Sequence, residues 1–338
     1  MLPKTFLFLP LTLLFFIPAY AQESKSIAYT NAFNEQLQML DGLRPIDFKR
    51  AVFISEDAYY NNKLSYQGFC TNISNITAQL KIMIKIKGIG QYKTAGNWAT
   101  FSFMTDTIPA NSFKPFTYDF DDFTGSKDWS KMFVTKLLQT HSGNCHSLPY
   151  LYKILCDEIG AKSYLAFAPN HCYIKHINEN GQWTNVELTN PSFPQDQEII
   201  KQMYVTVEEI RQNIYMVPLT PKQNIACTMR DLAEGYKSKY GYDRFFLKMV
   251  STALKYYPKS IPLIQHKANC LLSMIKAEEH KKNPDTQLLA ADIAMHKQTI
   301  RIINELGYKD MPLELYKEWV NAVEKEKAKR GLTKTITN

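Results

Sequence analysis

The sequence predicts an α+β protein in which a helix packs on an antiparallel sheet, followed by an all-α helical array. Between about residues 147 and 189, one helical pattern is followed by three short strand patterns, an order typical of α+β folds. From about residue 224 onward the amphipathic segments are helical, and proline, glycine or Asn-Pro breaks separate them. With 45% hydrophobic and 13% aromatic residues, the chain has the composition of a globular protein that buries a core.

Residues 1–21 have the pattern of a secretory signal peptide. An early lysine precedes an apolar run over residues 6–17, and "AYA" before Gln22 fits a small-x-small cleavage site. The run is shorter than the roughly 20 apolar residues of a spanning helix, and no cysteine follows it that could carry a lipid anchor. We therefore predict cleavage after Ala21, a secreted or periplasmic mature protein, and no stable membrane span after signal cleavage.

The charge balance is only mildly basic. The 338 residues contain 40 Lys and Arg against 32 Asp and Glu, a formal net charge of +8, and most lysines stand singly among apolar residues. Because nucleic-acid binding needs a basic stripe or a known reading motif, we expect no nucleic-acid partner. The six cysteines are irregularly spaced and outline no disulfide framework, so their pairing stays open.

Residues 22–110 mix helix and strand patterns and are predicted to form an N-terminal α/β region. The stretches "TNAFNEQLQML" and "PIDFKRAVFISEDAYY" have helical patterns. By contrast, "LKIMIKIKG" alternates strictly, with Leu80, Ile82, Ile84 and Ile86 on one face, which favours a half-buried strand. A helix end is the alternative for this stretch. We find no residues here that indicate a chemistry.

Residues 111–222 are predicted to form the domain that carries the chemistry. A short amphipathic helix, "MFVTKLLQT", leads to a glycine turn and Cys145. Leucine and isoleucine then recur at spacings of three and four between positions 148 and 159, the stripe of a helix with one buried face, and Gly160 is placed to end it. This pattern predicts that Cys145 lies at the start of a helix.

Three strands are predicted after this helix. "KSYLAFA" is followed by a Pro-Asn turn and by "HCYIKHI", on which His171, Tyr173 and Lys175 share one face. The "NENG" segment is a hairpin turn, and "QWTNVELT" is the third strand. A cysteine at the helix start would then face an antiparallel sheet that carries His171.

Residues 223–338 are predicted to form an irregular helical array. Ala253, Pro258 and Ala268 resemble the small-residue and proline positions of a tetratricopeptide repeat, but the later segments keep no 34-residue period. Stacked amphipathic helices can build a concave binding surface, so these helices are where we expect a protein partner, if one binds. A lid or stabilising domain is the alternative role.

The residues around Cys145 indicate nucleophilic chemistry. A helix N-terminus and a nearby imidazole both favour an ionised, reactive thiol, and a third group must hold the imidazole in one tautomer. Among the nearby histidines, His171 begins a strand after a tight turn, and Glu187 on the next strand could pair with it across the hairpin. The other candidate histidines are His141, His146 and His176.

The three blocks "GNCHSLPYLYKIL", "PNHCYIK" and "GQWTNVELTNPSF" together resemble the transglutaminase-like cysteine-protease fold, a relative of the papain-type hydrolases. That family has a cysteine opening a helix, a histidine beginning a strand, and an acidic residue in the next strand after a tryptophan. The resemblance covers roughly residues 115–200. It implies Cys145 as nucleophile, His171 as general base and acid, and Glu187 as the group that orients the imidazole.

The chain departs from the family pattern at two positions. The third member of the triad is more often aspartate, so the longer Glu187 needs a matching sheet spacing; Asn190 is the alternative, because asparagine fills that role in papain-type enzymes. His146 follows the nucleophile, where many relatives carry an aromatic or small residue. Details of the substrate pocket therefore stay open.

The implied reaction is acyl transfer by a thiol, with the oxyanion held by backbone N–H groups at the helix start, foremost that of Cys145. We favour a hydrolase acting on the amides of a peptide or protein substrate, including isopeptides, over a cross-linking transglutaminase. A catalytically inactive transglutaminase-like binding or adaptor protein is the alternative from another class. The sequence calls for no cofactor.

Metal sites are less favoured by the same residues. A zinc site would combine His141, Cys145, His171 and Cys172, but residues 171 and 172 point to opposite faces of a strand and cannot easily bind one ion. The acidic stretch "TYDFDDFTGSKDW" lacks the regular ligand spacing and final glutamate of a calcium loop, so a solvated turn is predicted.

Overall fold

The computed structural model describes residues 18–329, so the apolar run of the predicted signal peptide lies outside the described part. The described part begins with four helices: α1 (Pro18–Leu40), α2 (Phe48–Tyr59), α3 (Tyr66–Lys87) and α4 (Ala95–Thr105). Asp47 and Ser65 cap the starts of α2 and α3 by accepting backbone N–H groups of their first turns. The region predicted as α/β is therefore helical.

The strand interpretation of "LKIMIKIKG" is wrong, and the helical alternative is confirmed. Helix α3 continues through this stretch to Lys87 and ends at Gly88, which has φ +66°. Its buried residues, Phe69, Ile73, Thr77 and Leu80, are spaced by three and four. Ile82 and Ile86 are exposed, so the alternating isoleucines share no buried face.

The middle of the chain contains a short parallel pair and two helices. Strand β1 (Thr117–Tyr118) pairs with β2 (Ser142–Gly143), and helix α5 (Val134–Thr140) lies between them in sequence. Helix α6 (Ser147–Glu158) follows, with Leu148, Leu151 and Leu155 buried and Gly160 beyond its end at φ +75°. Both predicted helices are thus confirmed.

A three-stranded antiparallel sheet comes next, as predicted. It consists of β3 (Tyr164–Ala168), β4 (His171–Ile177) and β5 (Trp183–Val186), in the order β3-β4-β5. The β3–β4 turn is tight because Asn170 adopts φ +56°, a conformation that asparagine tolerates. Strand β5 ends at Val186, so Glu187 lies just beyond it, where it forms an isolated bridge with Ser192.

Both faces of this sheet are buried. Leu165, Cys172 and Ile174 belong to the main hydrophobic core together with α6. The opposite face, with Ala166, Ala168 and Tyr173, packs in a second cluster against residues of α7 (Asp196–Met203) and of the segments that flank the short helix α8 (Val207–Arg211). The alternation of side chains along β4 therefore sends Cys172 and His171 in opposite directions.

The C-terminal part is helical, as predicted, and consists of α9 (Pro221–Tyr240), α10 (Arg244–Tyr256), α11 (Ile261–Glu279), α12 (Thr286–Glu305) and α13 (Leu313–Lys329). Helix α9 begins with a capping box between Thr220 and Gln223. Its buried face joins the same core as the N-terminal helices and α6.

The described chain is therefore a helix-rich α+β structure with small sheets. No helix between residues 18 and 329 is long and apolar enough to cross a bilayer. The expected binding of a protein partner by the C-terminal helices stays a prediction.

Candidate active site

The turn that carries Cys145 is held by its neighbours Gly143 and Asn144. Helix α6 begins at Ser147, so Cys145 lies in the turn just before the helix rather than in its first helical turn. The buried Asn144 side chain accepts the backbone N–H groups of His146 and Ser147 through Oδ1, at 3.0 and 3.1 Å. These bonds satisfy N–H groups at the helix start and orient the turn.

Gly143 is required here by space rather than by its dihedral angles. A Cβ at this position would lie 2.5 Å from Ser147 Oγ and 2.8 Å from Leu137 Cδ1. Within the described residues, the Cys145 N–H donates to no protein acceptor. That donor therefore remains available at the turn.

His171 and Glu187 form a buried pair. His171 Nε2 lies 2.5 Å from Glu187 Oε2, and both side chains are largely buried. Glu187 Oε1 accepts two further hydrogen bonds, from the backbone N–H and the hydroxyl of Thr189, each 2.7 Å long. The Thr189 hydrogen bonds thus fix the carboxylate, and the carboxylate in turn holds one orientation of the imidazole.

The pairing is diagonal rather than directly across the hairpin. Ile174 opposes Val186, and extending that register places Glu187 opposite Tyr173 and beside His171 on the same face. The longer reach of glutamate spans such a diagonal. Asn190, the alternative orienting residue, is exposed, and no described hydrogen bond joins it to His171.

The electrostatics of the pair favour the charged forms. Burial lowers the pKa of the His171 imidazole, but the Glu187 carboxylate and the Cys145 thiol outweigh it and raise that pKa to about 10. Burial raises the pKa of Glu187, but His171 and the Thr189 hydrogen bonds more than compensate and hold it below its ordinary value. At neutral pH the pair is an imidazolium and a carboxylate.

Cys145 influences the same imidazole. The Cys145 side chain contributes to the raised pKa of His171, and both residues line one cavity. Since Nε2 bonds Glu187, Nδ1 is the ring nitrogen that remains for the thiol. The Cys145 Sγ also lies 4.0 Å from the backbone oxygen of Asn170 at the tip of the β3–β4 turn. The three residues singled out from the sequence are thus brought together in the order cysteine, histidine, glutamate.

Cys145 is one of two thiols with appreciable exposure. All six cysteines lie in the described part and none forms a disulfide. Cys70 is the other partly exposed one, and it lies on α3 in the N-terminal helices. The remaining four are buried: Cys156, Cys172, Cys227 and Cys270.

Cys145 and His171 face a cavity of about 270 Å³. One side of it is formed by the β3–β4 turn, and Trp129 and Met132 line it near the start of α5. Another part of the wall is formed by the C-terminal helices, which contribute Arg230 and Glu234 from α9 and residues of α11. The predicted helical array therefore supplies part of the wall around the nucleophile.

Four polar residues near the site were not singled out from the sequence. Thr189 and Asn144 act through the hydrogen bonds described above. Tyr118 on β1 is partly buried, and desolvation together with the nearby Cys145 and Glu187 raises the pKa of its phenol. The "ELT" and "GNC" motifs contain the only sequence signals for Thr189 and Asn144, whereas Tyr118 reaches the site through the β1–β2 pairing.

The fourth is Asp231, which organises a second polar cluster. His146 Nε2 lies 3.0 Å from Asp231 Oδ2 in a close contact that lacks the geometry of a directed hydrogen bond, while His146 Nδ1 lies 2.9 Å from the Met132 backbone oxygen. Burial opposes the charge on Asp231, but His146 and Arg230 lower its pKa to about 2. His146 thus contacts α9 rather than Cys145 among its described partners.

The other candidate histidines lie apart from the nucleophile. His141 stacks on Phe116 with ring centroids 4.8 Å apart, and His176 is buried on β4 with its Nδ1 next to the Ile177 backbone oxygen. Cys172 faces the main core, away from His171. In residues 18–329, no group of three or more His, Cys, Asp or Glu side chains is arranged to hold a metal ion.

Neither models of protein families nor curated proteins nor solved structures give a significant match to this chain. The interpretation of the site therefore depends on its own geometry.

Proposed function

We propose that the protein is a thiol-dependent acyl-transfer enzyme that hydrolyses amides of a peptide or protein substrate. The observation that carries this proposal is the arrangement of His171, which lies 2.5 Å from the Glu187 carboxylate and lines one cavity together with Cys145, whose side chain contributes to the raised pKa of the imidazole. A structural histidine needs no thiol and no cavity, whereas a nucleophilic site needs both.

In this mechanism the Cys145 thiolate attacks the amide carbonyl and forms a C–S bond. The carbonyl π electrons move to oxygen, and the Cys145 N–H, which has no described protein acceptor, stabilises the oxyanion. His171 donates its proton to the departing amine as the C–N bond breaks, which leaves a thioester. It then removes a proton from the water that attacks the thioester, the C–S bond breaks, and the carboxylic acid leaves while the Cys145 thiolate is regenerated.

We assign the site to the transglutaminase-like cysteine-protease fold. The order of helix, strand and hairpin, with the cysteine before the helix and the histidine at the start of a strand, supports this assignment. Hydrolysis is favoured over cross-linking because water needs no second binding surface for an acceptor amine. Export through the N-terminal signal peptide is part of the same proposal.

The alkylation rate of Cys145 tests the proposal. In the protein lacking residues 1–21, iodoacetamide at pH 7 should modify Cys145 faster than Cys70 by about tenfold or more, because an imidazolium stabilises the thiolate. Peptide mass spectrometry would give both rates in one sample, so Cys70 is an internal control.

The His171→Ala variant should lose the preference for Cys145, while His141→Ala should keep it. If Cys145 reacts no faster than Cys70, the enzyme proposal fails and the inactive binding protein becomes the better interpretation. If Cys145 is fast and His171→Ala does not slow it, the assigned pair is wrong.

A further inference from the structure

Arg230 presents a guanidinium group to the cavity of the proposed active site. Its side chain is only 11% exposed, and it lines the same cavity as Cys145 and His171. The guanidinium carbon lies 5.4 Å from the centre of the Phe167 ring on β3. Phe167 pairs with Cys172, so this ring is on the sheet face opposite to His171, and Arg230 shares with Cys145 and His171 only the wall of one cavity.

Much of the hydrogen-bonding capacity of Arg230 is unused. Nε and Nη2 both donate to a single oxygen, Asp231 Oδ1, at 3.2 and 2.9 Å. No described residue accepts a hydrogen bond from Nη1. Arginine carries five N–H donors in a planar fork, and Nη1 is not among the fully buried polar atoms without a partner, so it keeps some exposure. Asp231 thus fixes the guanidinium and leaves one edge for another acceptor.

The free edge of the Arg230 guanidinium is suited to an anion, because the next carboxylate along α9 after Asp231 already has its own partners. Glu234, one helical turn after Arg230 on α9, already has a cation 2.6 Å away in Lys237 Nζ and lies 3.1 Å from His266 Nδ1. Burial lowers the pKa of His266 to about 4, so it is neutral at pH 7. His171, which lines the same cavity, is an imidazolium.

We infer that Arg230 binds a carboxylate of the substrate, so that the amide attacked by Cys145 belongs to a peptide with a free carboxylate near the reacting carbonyl. Guanidinium groups bind carboxylates through two parallel N–H donors, which fixes orientation as well as charge. The carboxylate is either a chain terminus or an acidic side chain. This inference rests on the proposed function, because it assigns the substrate class of the same site.

Protection of Cys145 from iodoacetamide tests the inference without a known substrate. N-acetylalanine, which has a terminal carboxylate, should slow alkylation of Cys145 and leave Cys70 unaffected. N-acetylaspartic acid α-amide has only a side-chain carboxylate and distinguishes the second source. N-acetylalanine amide matches the first probe without its charge and should protect roughly tenfold less well, the size expected for a hydrogen bond between charged groups.

Two variants connect the protection to Arg230. Arg230→Met should abolish the advantage of the free acids over the amide, and Arg230→Lys, which keeps the charge and removes the planar fork, should reduce it. Arg211→Met is the matched control, because Arg211 is an exposed arginine on α8 with 74% of its side chain accessible. The ratio of rates with and without probe is compared within each variant, so a changed basal rate does not affect the result.

The experiment distinguishes failure of the proposed function from failure of the carboxylate inference. If Cys145 reacts no faster than Cys70, the proposed function itself fails. If Cys145 is fast but neither free acid protects it better than the amide, or if the advantage persists in both Arg230 variants, the carboxylate inference alone is overturned.

Discussion

The pair of His171 and Glu187 shows how two buried charges can be stable together. Burial removes the hydration of both side chains, but the ion pair between them compensates for this loss, and Glu187 also accepts two hydrogen bonds from Thr189. Removing one partner of such a pair leaves an uncompensated charge and typically costs about 3–5 kcal/mol. The same contact holds the imidazole that is proposed to activate Cys145. The stability of the protein and the reactivity of Cys145 therefore both depend on it.

Replacing Glu187 with Gln should therefore lower both stability and Cys145 reactivity. The pKa of His171 is raised above its ordinary 6.5, so its contribution is complete below about pH 6.5 and is lost as pH rises toward 10. The pKa of Glu187 is lowered from 4.5, so its contribution is complete above about pH 4.5 and is lost as pH falls. The difference in stability between wild type and Glu187→Gln should be largest between these two values.

Urea denaturation at a series of pH values would measure this difference. We expect about 3 kcal/mol near pH 5.5, and a smaller difference at pH 9. Asn190→Asp is the control, because Asn190 is exposed and has no described bond to His171. A difference that does not change with pH would contradict the pKa directions assigned to the pair.

At the scale of elements, the turn before α6 positions the nucleophile through close packing. Gly143 lies against α5 and the first residue of α6, and Asn144 covers the N–H groups at the helix start. Gly143 also pairs with Tyr118 on β1. The turn therefore has contacts on several sides and little freedom to adjust.

Gly143→Ala should shift this turn and slow alkylation of Cys145. The added methyl group would be 2.5 Å from Ser147 Oγ and 2.8 Å from Leu137 Cδ1, and overpacking of this kind costs about 1–3 kcal/mol. Gly90→Ala is the matched control, because its Cβ would meet only one atom, at 3.9 Å. Equal melting temperatures and equal rates of Cys145 alkylation for the two variants would contradict the claim that the turn has no room for a methyl group.

Helix α3 shows why an alternating pattern is not by itself a strand. "LKIMIKIKG" alternates, but it follows about four turns of helix whose apolar residues already recur at spacings of three and four. The helical hydrogen bonds continue, and Ile82 and Ile86 are left exposed. Strands β3, β4 and β5 were predictable because each is bounded by a turn, which isolates its alternation from its neighbours.

At the scale of the whole molecule, one hydrophobic core connects the three predicted regions. It includes residues of α1 and α2, of α6 and the sheet, and of α9 and α10. Because α9 contributes both to this core and to the cavity wall, the site and the helical array should lose their structure together.

Leu232→Ala in α9 tests this connection. Leu232 is completely buried in the shared core, and truncation of such a leucine typically costs about 2–5 kcal/mol. Denaturation followed by helical circular dichroism and by loss of the Cys145 preference over Cys70 should shift by the same amount. Leu272→Ala on α11 is the control, because Leu272 is 39% exposed. Two separated transitions would show that the site does not depend on α9.

The sequence by itself determined the features that depend on neighbouring residues: the helix after Cys145, the three strands, the turns between them and the C-terminal helices. It also singled out Cys145, His171 and Glu187 as candidate site residues, because local motifs surround each of them. Only the tertiary structure decided that Glu187 rather than Asn190 contacts His171, because that choice depends on how the chain continues beyond the end of β5. Packing alone brings Arg230 to the same cavity, since no local pattern relates a residue of α9 to a turn before α6.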